Sequence, residues 1–193
     1  MQSGLIDKAR LRQLLLKKRQ SMPVAEWRKN SDLICARLQG STLFTSARTI
    51  LSYFSFRQEP DLSSLFTDTR YQWGFPRCVG NTLSWHFWTP QDTHLLQTGA
   101  YGILEPLCSA AIIEPTQVDL ILVPSVACDS RSYRLGYGGG YYDRLLSSAQ
   151  WRSKPTIGIV FEFGYLPQLP IDSWDKPLQG VCTETKLRYL NIE

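Results

Sequence analysis

The sequence predicts an α/β protein, in which residues 1–193 form a single three-layer α/β/α domain with a central, mostly parallel sheet. Residues 118–123 form a near-continuous apolar run, as expected of a strand that is covered on both faces. A second strand is predicted at residues 155–163, around Ile157, Ile159 and Phe161. Helical patterns precede and separate these strands, and buried strands mixed with helices are typical of layered α/β domains.

The amino-terminal residues 5–20 predict a helix. Lys8 and Arg12 are four residues apart, so their side chains are expected to project from one face of this helix. The spacing i, i+3, i+4 predicts a buried apolar stripe made of Leu11, Leu14 and Leu15.

A second helix is predicted to follow directly. Ser21 can cap its start, Pro23 suits its first turn, and Gly40 is a natural stop. The buried side of this helix is predicted to consist of Trp27, Ile34 and Leu38.

Strand-like segments come next along the chain. Residues 49–56 and 71–77 are rich in aromatic and branched side chains. A third segment alternates apolar with polar or exposed positions through Leu83, Trp85 and Phe87. This alternation favours core packing for Trp85, although the side chain could also line a pocket.

Composition and charge exclude several classes of protein. The net charge of +4 is too small and too scattered to predict a nucleic-acid partner, although it suits an anionic small ligand. No apolar stretch approaches the ~20 residues that a membrane helix needs, and no leader ends in a small-residue cleavage site. We therefore expect a cytoplasmic protein that binds neither nucleic acid nor membrane.

The cysteines point to a reducing compartment. They are odd in number, far apart and never arranged as CxxC. Because the chain has only two histidines, a Cys/His zinc site is not expected. Most of the thiols are predicted to be small buried apolar groups. The residues are Cys35, Cys78, Cys108, Cys128 and Cys182.

The most informative segment is RLGYGGGYYDR at residues 134–144. It follows the predicted strand 118–123, and a helix is predicted to begin near Tyr141 and to continue through Leu145 and Leu146. Glycines between a strand and a helix let backbone N–H groups approach phosphate oxygens. Arg134 could bind phosphate with two hydrogen bonds, and Asp143 offers a carboxylate to magnesium.

The known phosphate-binding signatures do not fit this glycine segment. No Lys-Ser or Lys-Thr pair follows the glycines, which excludes a P-loop. Tyr141 occupies the last glycine position of the dinucleotide-binding pattern, which excludes that fingerprint as well. Without further observations, a tight turn capped by aromatic side chains is an equally good interpretation.

The segment 134–144, preceded by Val123-Pro124 and Asp129, resembles the signature of the 5-formyltetrahydrofolate cyclo-ligase family. Further family-like motifs occur in the expected order along nearly the whole chain. They are Lys8-Ala-Arg-Leu-Arg12, Glu59 after a strand, Phe75-Pro76-Arg77, Gly102-Ile-Leu-Glu-Pro106, Asp175 and Thr183-Glu184.

This resemblance implies an ATP site that combines the first helix with the glycine segment. The implied ATP-binding residues are Lys8, Arg12, Arg134, Leu135, Gly136, Tyr137, Gly138, Gly139, Gly140, Tyr141 and Tyr142. It also implies a Mg²⁺ ion held by Asp143 and Asp175. The alternatives are a solvated helix face for Lys8 and Arg12, a helix cap for Asp143 and a polar loop for Asp175.

The resemblance also implies a folate site next to ATP. Its residues would be Arg12, Phe54, Glu59, Tyr137, Gly138, Gly139, Gly140 and Tyr141. Glu59 suits the N–H donors of a reduced pterin, whereas Phe54 could equally be a core side chain. The implied partners are ATP and 5-formyltetrahydrofolate, with or without a polyglutamate tail, bound by a monomer.

The implied reaction is phosphorylation of the N5-formyl oxygen by ATP, followed by attack of N10 and loss of phosphate. Arg134 and Tyr141 are the expected catalytic residues. Gly139 stands where some family members carry Lys, and Cys128 stands where an aromatic is commoner, which favours a packing role over a reactive thiol. Two other functions remain open: a phosphosugar isomerase or transferase, and a folate- or nucleotide-binding protein without catalysis.

Overall fold

The computed structural model describes residues 7–190 of the chain, so Leu5 and Ile6 of the predicted first helix lie outside the described residues. The described α-helices are α1 (Lys8–Gln20), α2 (Val24–Gln39), α3 (Thr42–Thr45) and α4 (Tyr141–Ser147). The strands are β1 (Thr49–Leu51), β2 (Gln72–Val79), β3 (Thr82–Phe87), β4 (Leu96–Thr98), β5 (Leu104–Pro106), β6 (Leu120–Pro124), β7 (Ala127–Asp129), β8 (Arg134–Leu135), β9 (Thr156–Ile159), β10 (Tyr165–Leu166), β11 (Gly180–Cys182) and β12 (Leu187–Tyr189).

A seven-stranded sheet forms the centre of the described fold, in the order β12-β11-β9-β6-β1-β2-β3. The five inner strands pair in parallel, and an antiparallel strand closes each edge. The prediction of an α/β fold with a mostly parallel central sheet is therefore confirmed.

Helices cover both faces of this sheet. Successive side chains of a strand point to opposite faces, and β6 shows the consequence. Leu122 lies in the buried cluster that contains Ile34 and Leu38 of α2. Its neighbour Ile121 lies in the cluster that contains Leu145 of α4. The apolar run of β6 is continuous because both of its faces are covered.

Helix α1 packs on a second, three-stranded sheet of order β10-β7-β8. Leu15 is buried there against Val126 and Leu135. The predicted stripe was wrong in one position, because Leu14 is 52% exposed. The second buried side chain of α1 is instead Arg19, four residues after Leu15 and on the same face.

The boundaries of α2 confirm one prediction and correct another. Gly40 follows the last residue of the helix, as expected. Ser21, however, does not cap α2. It follows the end of α1 and donates its hydroxyl to the Lys18 carbonyl at 2.9 Å. Pro23 immediately precedes α2, where its missing N–H costs nothing because the first turn lacks acceptors for such groups.

Two predicted strands are shorter than expected, and this shapes the site. In the segment 49–56 the strand ends at Leu51, and in the segment 155–163 the strand ends at Ile159. Their remaining residues leave the sheet beyond its edge. Apolar and aromatic composition alone does not distinguish the paired from the unpaired part of such a segment, because both are buried.

The burial of the cysteines agrees with the packing role predicted for most of them. Cys35, Cys128 and Cys182 are buried, Cys78 is partly exposed and Cys108 is exposed. Burial raises the pKa of Cys128 to about 12, which favours packing over reactivity. Among residues 7–190, no helix is both long and apolar enough to cross a membrane.

The sheet order places a crevice between β1 and β6. From β1 the chain continues to β2 on one side, and from β6 it continues to β9 on the other. In open α/β sheets, ligands bind outside the carboxyl ends of the strands at such a point of reversal. The segments that follow these two strands include Glu59 and the glycine segment.

Candidate active site

The glycine segment, residues 134–144, forms a turn between β8 and α4. Gly138 and Gly140 have φ angles of 102° and 68°. A side chain at these left-handed positions would strain the backbone, so glycine is required for this turn. Because α4 has only seven residues and a helix terminus carries only about half a charge, the nearby cationic side chains are the main positive groups.

Three guanidinium groups hold the turn. Arg12 of α1 donates from Nε to the Gly136 carbonyl at 2.7 Å. Arg134 donates from Nη2 to Asp143 Oδ1 at 2.8 Å. Arg144 donates to the Gly139 carbonyl at 2.7 Å. The first helix and the glycine segment therefore meet, as the sequence predicted.

Guanidinium groups lie next to two of the glycines. A Cβ atom at Gly136 would lie 2.8 Å from Arg134 Nη1. A Cβ atom at Gly138 would lie 3.6 Å from the Arg12 guanidinium carbon. A Cβ atom at Gly136 would therefore displace Arg134, whereas one at Gly138 would be in ordinary van der Waals contact with Arg12.

Gly139, where some family members carry Lys, has a contact of its own. A Cβ atom there would lie 3.0 Å from the ring of Tyr141. The Tyr141 hydroxyl donates to the Gly80 carbonyl at 3.1 Å and lies 3.4 Å from the hydroxyl of Tyr101. Gly139 therefore lets this ring lie directly against the turn and join it to the β2–β3 connection.

Lys8 pairs with two carboxylates near the carboxyl end of the chain. Its ammonium group lies 2.6 Å from Asp172 Oδ2 and also contacts Asp175. Burial alone would lower the pKa of Lys8, but the hydrogen bonds to Asp172 and Asp175 outweigh it and raise that pKa above its ordinary value. Each aspartate predicted to bind magnesium is thus paired with a cation predicted to bind phosphate.

Arg134 and Tyr142 carry buried polar atoms without partners. The guanidinium of Arg134 lies 5.3 Å from the centre of the Tyr142 ring. In the described part of the chain, neither Arg134 Nε nor the Tyr142 hydroxyl has a hydrogen-bond partner. Buried polar groups are normally paired, so unpaired ones in this position have capacity for a ligand or water.

Glu59 is the buried carboxylate of the segment that follows β1, with 4% of its surface exposed. Burial raises its pKa to about 7, against the opposing effects of the Arg19 cation, the Phe56 N–H group and the Tyr137 hydroxyl. The Phe56 N–H donates to Glu59 Oε2 at 3.1 Å. This carboxyl group is therefore able to change its charge near neutral pH.

Arg19 contacts the glycine segment and acts on Glu59 through its charge. Its Nη2 donates to the Tyr137 hydroxyl, and its guanidinium lies 5.4 Å from the centre of that ring. Tyr137 also stands beside Phe56, with 6.4 Å between ring centres. The structure thus brings Glu59 and Tyr137 together, as the predicted folate site requires.

The two remaining aromatic candidates belong mainly to the core. Phe54 is partly buried and stacks on Phe75, with ring centres 4.2 Å apart. Trp85 is 1% exposed and packs with Trp151 and Tyr142. Core packing for Trp85 is confirmed, whereas Phe54 has one partly exposed side left for a ligand.

Sequence reasoning missed Arg19, Arg144 and Asp172. Arg19 could have been found, because it lies eleven residues after Lys8, which is about three helical turns and places both on one face of α1. Arg144 and Asp172 act through long-range contacts, to the Asn81 carbonyl and to Lys8 respectively. Nothing in their local sequence indicates those contacts.

Among the described residues, no group of three or more His, Cys, Asp or Glu side chains could hold a metal ion by itself. Mg²⁺ commonly takes one or two carboxylates together with substrate phosphates. Asp143 and Asp175 are hard oxygen donors beside cations suited to phosphate, so the residues present fit that kind of site.

Comparison with known proteins shows similarity to one family of enzymes. The sequence profile of the 5-formyltetrahydrofolate cyclo-ligase family matches residues 6–184. The solved structure of a 5,10-methenyltetrahydrofolate synthetase from Aquifex aeolicus is similar, with a TM-score of 0.84 and 32% identity. That similarity covers 96% of this chain and 94% of the other.

Two proteins named 5-formyltetrahydrofolate cyclo-ligase align over shorter stretches. The Haemophilus influenzae protein is 36% identical over 88 residues, or 45% of this chain and 46% of its own length. The Escherichia coli K12 protein is 33% identical over 113 residues, or 58% of this chain and 60% of its own length. The aligned part thus spans less than two thirds of either relative.

Proposed function

This chain belongs to the 5-formyltetrahydrofolate cyclo-ligase family, and we propose that it converts 5-formyltetrahydrofolate into 5,10-methenyltetrahydrofolate with ATP and Mg²⁺. One observation carries the proposal: cations of α1 converge on the glycine segment at the carboxyl edge of the sheet. Arg12 and Arg19 both donate hydrogen bonds to that segment, and the charge of Arg19 also acts on Glu59. One site therefore offers anion-binding groups next to groups suited to a pterin.

The nucleotide would bind at the glycine turn. Lys8, Arg12 and Arg134 are the cations available to its phosphates, and the N–H groups of residues 136–140 supply further donors. In the free protein, Lys8 and Arg134 are neutralised by aspartates. A phosphate group offers these cations a stronger anionic partner, which releases the carboxylates.

The released carboxylates would hold the metal. Asp143 and Asp175 are the residues for this role, with phosphate oxygens completing the coordination. When bound, Mg²⁺ would offset negative charge on the phosphates during transfer. A metal–nucleotide complex would bring anions for Lys8 and Arg134 and a cation for the released carboxylates. Asp172, the other partner of Lys8, is 43% exposed and can be hydrated.

The folate would bind beside Glu59. Its carboxylate suits the adjacent N–H donors of a reduced pterin. Tyr137 and the exposed side of Phe54 provide aromatic surfaces for the flat ring. Arg12 and the glycines 138–140 then lie between the pterin and the phosphates, as residues shared by both ligands.

The chemistry requires little covalent work from the protein. The formyl oxygen attacks the terminal phosphorus of ATP, the bond from that phosphorus to the bridging oxygen breaks, and ADP leaves. N10 then attacks the activated formyl carbon and loses its proton to solvent, and the bond from that carbon to the phosphorylated oxygen breaks, so that phosphate departs. Arg134 would offset charge on the transferring group, and Tyr141 would orient the formyl end.

The remaining properties follow the same proposal. We infer a monomeric, single-domain protein of the cytoplasm that uses free or polyglutamylated folate and binds neither nucleic acid nor membrane. The mild net charge of +4 is consistent with anionic substrates of this size.

A near-ultraviolet absorbance trace tests the proposed reaction. Purified protein mixed with 5-formyltetrahydrofolate, Mg²⁺ and ATP is expected to form the absorbing methenyl product, and omission of ATP is expected to stop it. Turnover of a sugar phosphate without ATP would favour an isomerase or transferase instead. Tight folate and nucleotide binding without product would favour a protein that has lost catalysis.

Replacement of Glu59 by glutamine is expected to have opposite effects on stability and binding. The pKa of Glu59 rises from 4.5 to about 7 on folding. The unfolded chain therefore loses this proton first as pH increases, and the folded state becomes less stable between these two pH values. The total loss is about 3 kcal/mol. Glu59→Gln removes this cost. Thermal melts at pH 8 are therefore expected to show a more stable variant.

The same variant is expected to bind 5-formyltetrahydrofolate about 100-fold more weakly, because an amide offers one acceptor where the carboxylate offers two. Affinity for a non-hydrolysable ATP analogue should be unchanged. Calorimetric titration of both ligands checks this, and wild-type folate affinity in Glu59→Gln would contradict the assignment.

Replacement of Asp143 by alanine is expected to raise the Mg²⁺ concentration needed for half-maximal rate and to lower kcat about 100-fold. The matched control is Asp68→Ala, which removes an aspartate from an exposed arginine pair outside the site. Rate measurements over a Mg²⁺ series distinguish the two. Equal Mg²⁺ requirements in both variants would remove Asp143 from the metal site.

A further inference from the structure

Arg19 is a buried cation that the proposed chemistry does not use. Only 3% of its surface is exposed, on a helix whose other basic side chains are largely at the surface. Removing a charge from water is costly unless the charge gains partners. The burial of Arg19 therefore indicates a specific role beside Glu59 and Tyr137.

The contacts of Arg19 reach both sides of the folate site. Nη2 donates to the Tyr137 hydroxyl, and the guanidinium lies over the Tyr137 ring at 5.4 Å. Nε donates to the Arg57 carbonyl at 3.1 Å. Arg57 and Gln58 have φ angles of 48° and 55°, so this hydrogen bond supports a strained backbone immediately before Glu59.

Arg19 also acts on Glu59 through its charge. In residues 7–190, Arg19 is the charged side chain that acts on Glu59, and it opposes the effect of burial. The other titratable groups facing Glu59 are the phenols of Tyr53, Tyr137 and Tyr142, whose pKa values are all raised by burial, so they stay neutral near pH 7. Arg19 thus favours the charged form of Glu59.

One donor of Arg19 remains free. Its Nη1 is buried and has no hydrogen-bond partner in the described part of the chain. An unpaired buried donor costs stability, which a polar atom of a ligand or a bound water would offset.

We propose that Arg19 is a positioning residue of the folate site, which acts on the substrate through Glu59, Tyr137 and the backbone of Arg57. The inference rests on the proposed function, because folate is the ligand it concerns. Arg19 keeps Glu59 able to accept hydrogen bonds at neutral pH and holds the Tyr137 ring beside it. Arg19 is thus the residue that favours the charged form of this carboxylate.

Two substitutions separate the charge of Arg19 from its geometry. Arg19→Met removes the charge and keeps an unbranched apolar stem. Arg19→Lys keeps the charge but loses the planar group that contacts Tyr137 and Arg57 together. A role in packing alone would make both variants less stable without changing how folate binding depends on pH.

The test is calorimetric titration of 5-formyltetrahydrofolate without ATP, between pH 5.5 and 8.5. In the wild type, affinity is expected to fall as pH drops below about 7, because Glu59 becomes protonated. In Arg19→Met the midpoint of this fall is expected to move up by about one pH unit. Arg19→Lys is expected to keep the midpoint and to bind about tenfold more weakly.

A Glu59→Gln background provides the control, since there Arg19→Met is expected to cause no shift. Affinity for an ATP analogue should stay within about threefold in every variant. A wild-type midpoint in Arg19→Met would overturn the inference. Wild-type protein that binds no folate would instead refute the proposed function, so the two failures are distinguishable.

A second measurement applies if Arg19→Met does not fold. Arg19→Lys and Tyr137→Phe are then compared singly and together, because the lysine and the phenylalanine each remove the Arg19–Tyr137 hydrogen bond. If the two substitutions remove the same interaction, their effects are not independent. The double variant is then expected to bind folate at least threefold more tightly than the product of the two single fold-losses predicts. Fully additive losses would overturn the inference.

Discussion

Replacing Arg134 with alanine is expected to lower kcat about 1,000-fold, the largest effect of any single substitution in this site. Arg134 is fixed before any ligand binds, by the ion pair with Asp143 and by the ring of Tyr142. After exchanging Asp143 for a phosphate oxygen, this cation stabilises charge that develops on the phosphoryl group during transfer. The loss should therefore appear in kcat more than in the affinity for ATP.

Stability is the competing explanation for this effect. Removing Arg134 leaves Asp143 without its partner, but Asp143 keeps 25% of its side-chain surface exposed and can be hydrated. The cost should therefore be well below the 3–5 kcal/mol typical of a broken buried pair. Arg70→Ala is the matched control, because it breaks an exposed arginine–aspartate pair outside the site. A large loss of rate in Arg70→Ala, or none in Arg134→Ala, would contradict the assignment.

Gly138→Val is expected to weaken ATP binding about 30-fold or more. The φ angle of 102° is strained for any residue with a Cβ atom, at a cost of roughly 1–2 kcal/mol. The new side chain would also start 3.6 Å from the Arg12 guanidinium, and its methyl groups would displace that cation. The strain lowers the stability of the fold, whereas displacement of Arg12 is expected to weaken ATP binding by about 2 kcal/mol, or about 30-fold.

Gly102→Val separates the two causes. Gly102 also has a left-handed φ angle, 73°, but a Cβ atom there would meet nothing within 4 Å. It therefore carries the backbone strain without the contact to Arg12. Titration with an ATP analogue is expected to show a small change in Gly102→Val and a large one in Gly138→Val. Equal changes would show that the contact with Arg12 does not matter.

The sequence was most informative where structure is local. The glycine segment, the start of α4 and the burial of β6 depend on neighbouring residues, so they could be predicted from patterns alone. Lys8 and Arg12 lie on one face of α1, as their helical spacing predicts, although Lys8 contacts two aspartates and Arg12 contacts Gly136. The same spacing places Arg19 on the face of Lys8, but it does not predict that Arg19 is buried, since α1 is basic along its length and the periodicity does not show which cation is covered.

Long-range pairs were beyond the reach of sequence patterns. The motifs Phe75-Pro76-Arg77 and Gly102–Pro106 were recognised separately, yet the structure joins them through Arg77 and Glu105 at 3.0 Å. Asp129, next to the glycine segment in sequence, is fully buried and accepts hydrogen bonds from Arg131, Tyr133 and Leu169. Such contacts depend on how loops return to the sheet, which local composition does not encode.

Strand ends were mispredicted for a related reason. The segment after β1 keeps its apolar character beyond Leu51 because Tyr53 and Phe54 still pack against the core. Pairing stops there, and the backbone turns through Arg57 and Gln58 to present Glu59. The residues that end the strand are thus the residues that build the site, and apolar patterning cannot distinguish the two.

The central claim is that the glycine segment binds the phosphates of ATP beside carboxylates that hold the metal. A crystal structure with a non-hydrolysable ATP analogue and Mg²⁺ tests it most directly. We expect the phosphates against residues 136–140, Arg134 and Lys8 turned from their aspartates to the phosphate oxygens, and the metal at Asp143. A nucleotide bound elsewhere, with the Arg134–Asp143 and Lys8–Asp175 pairs intact, would contradict the account.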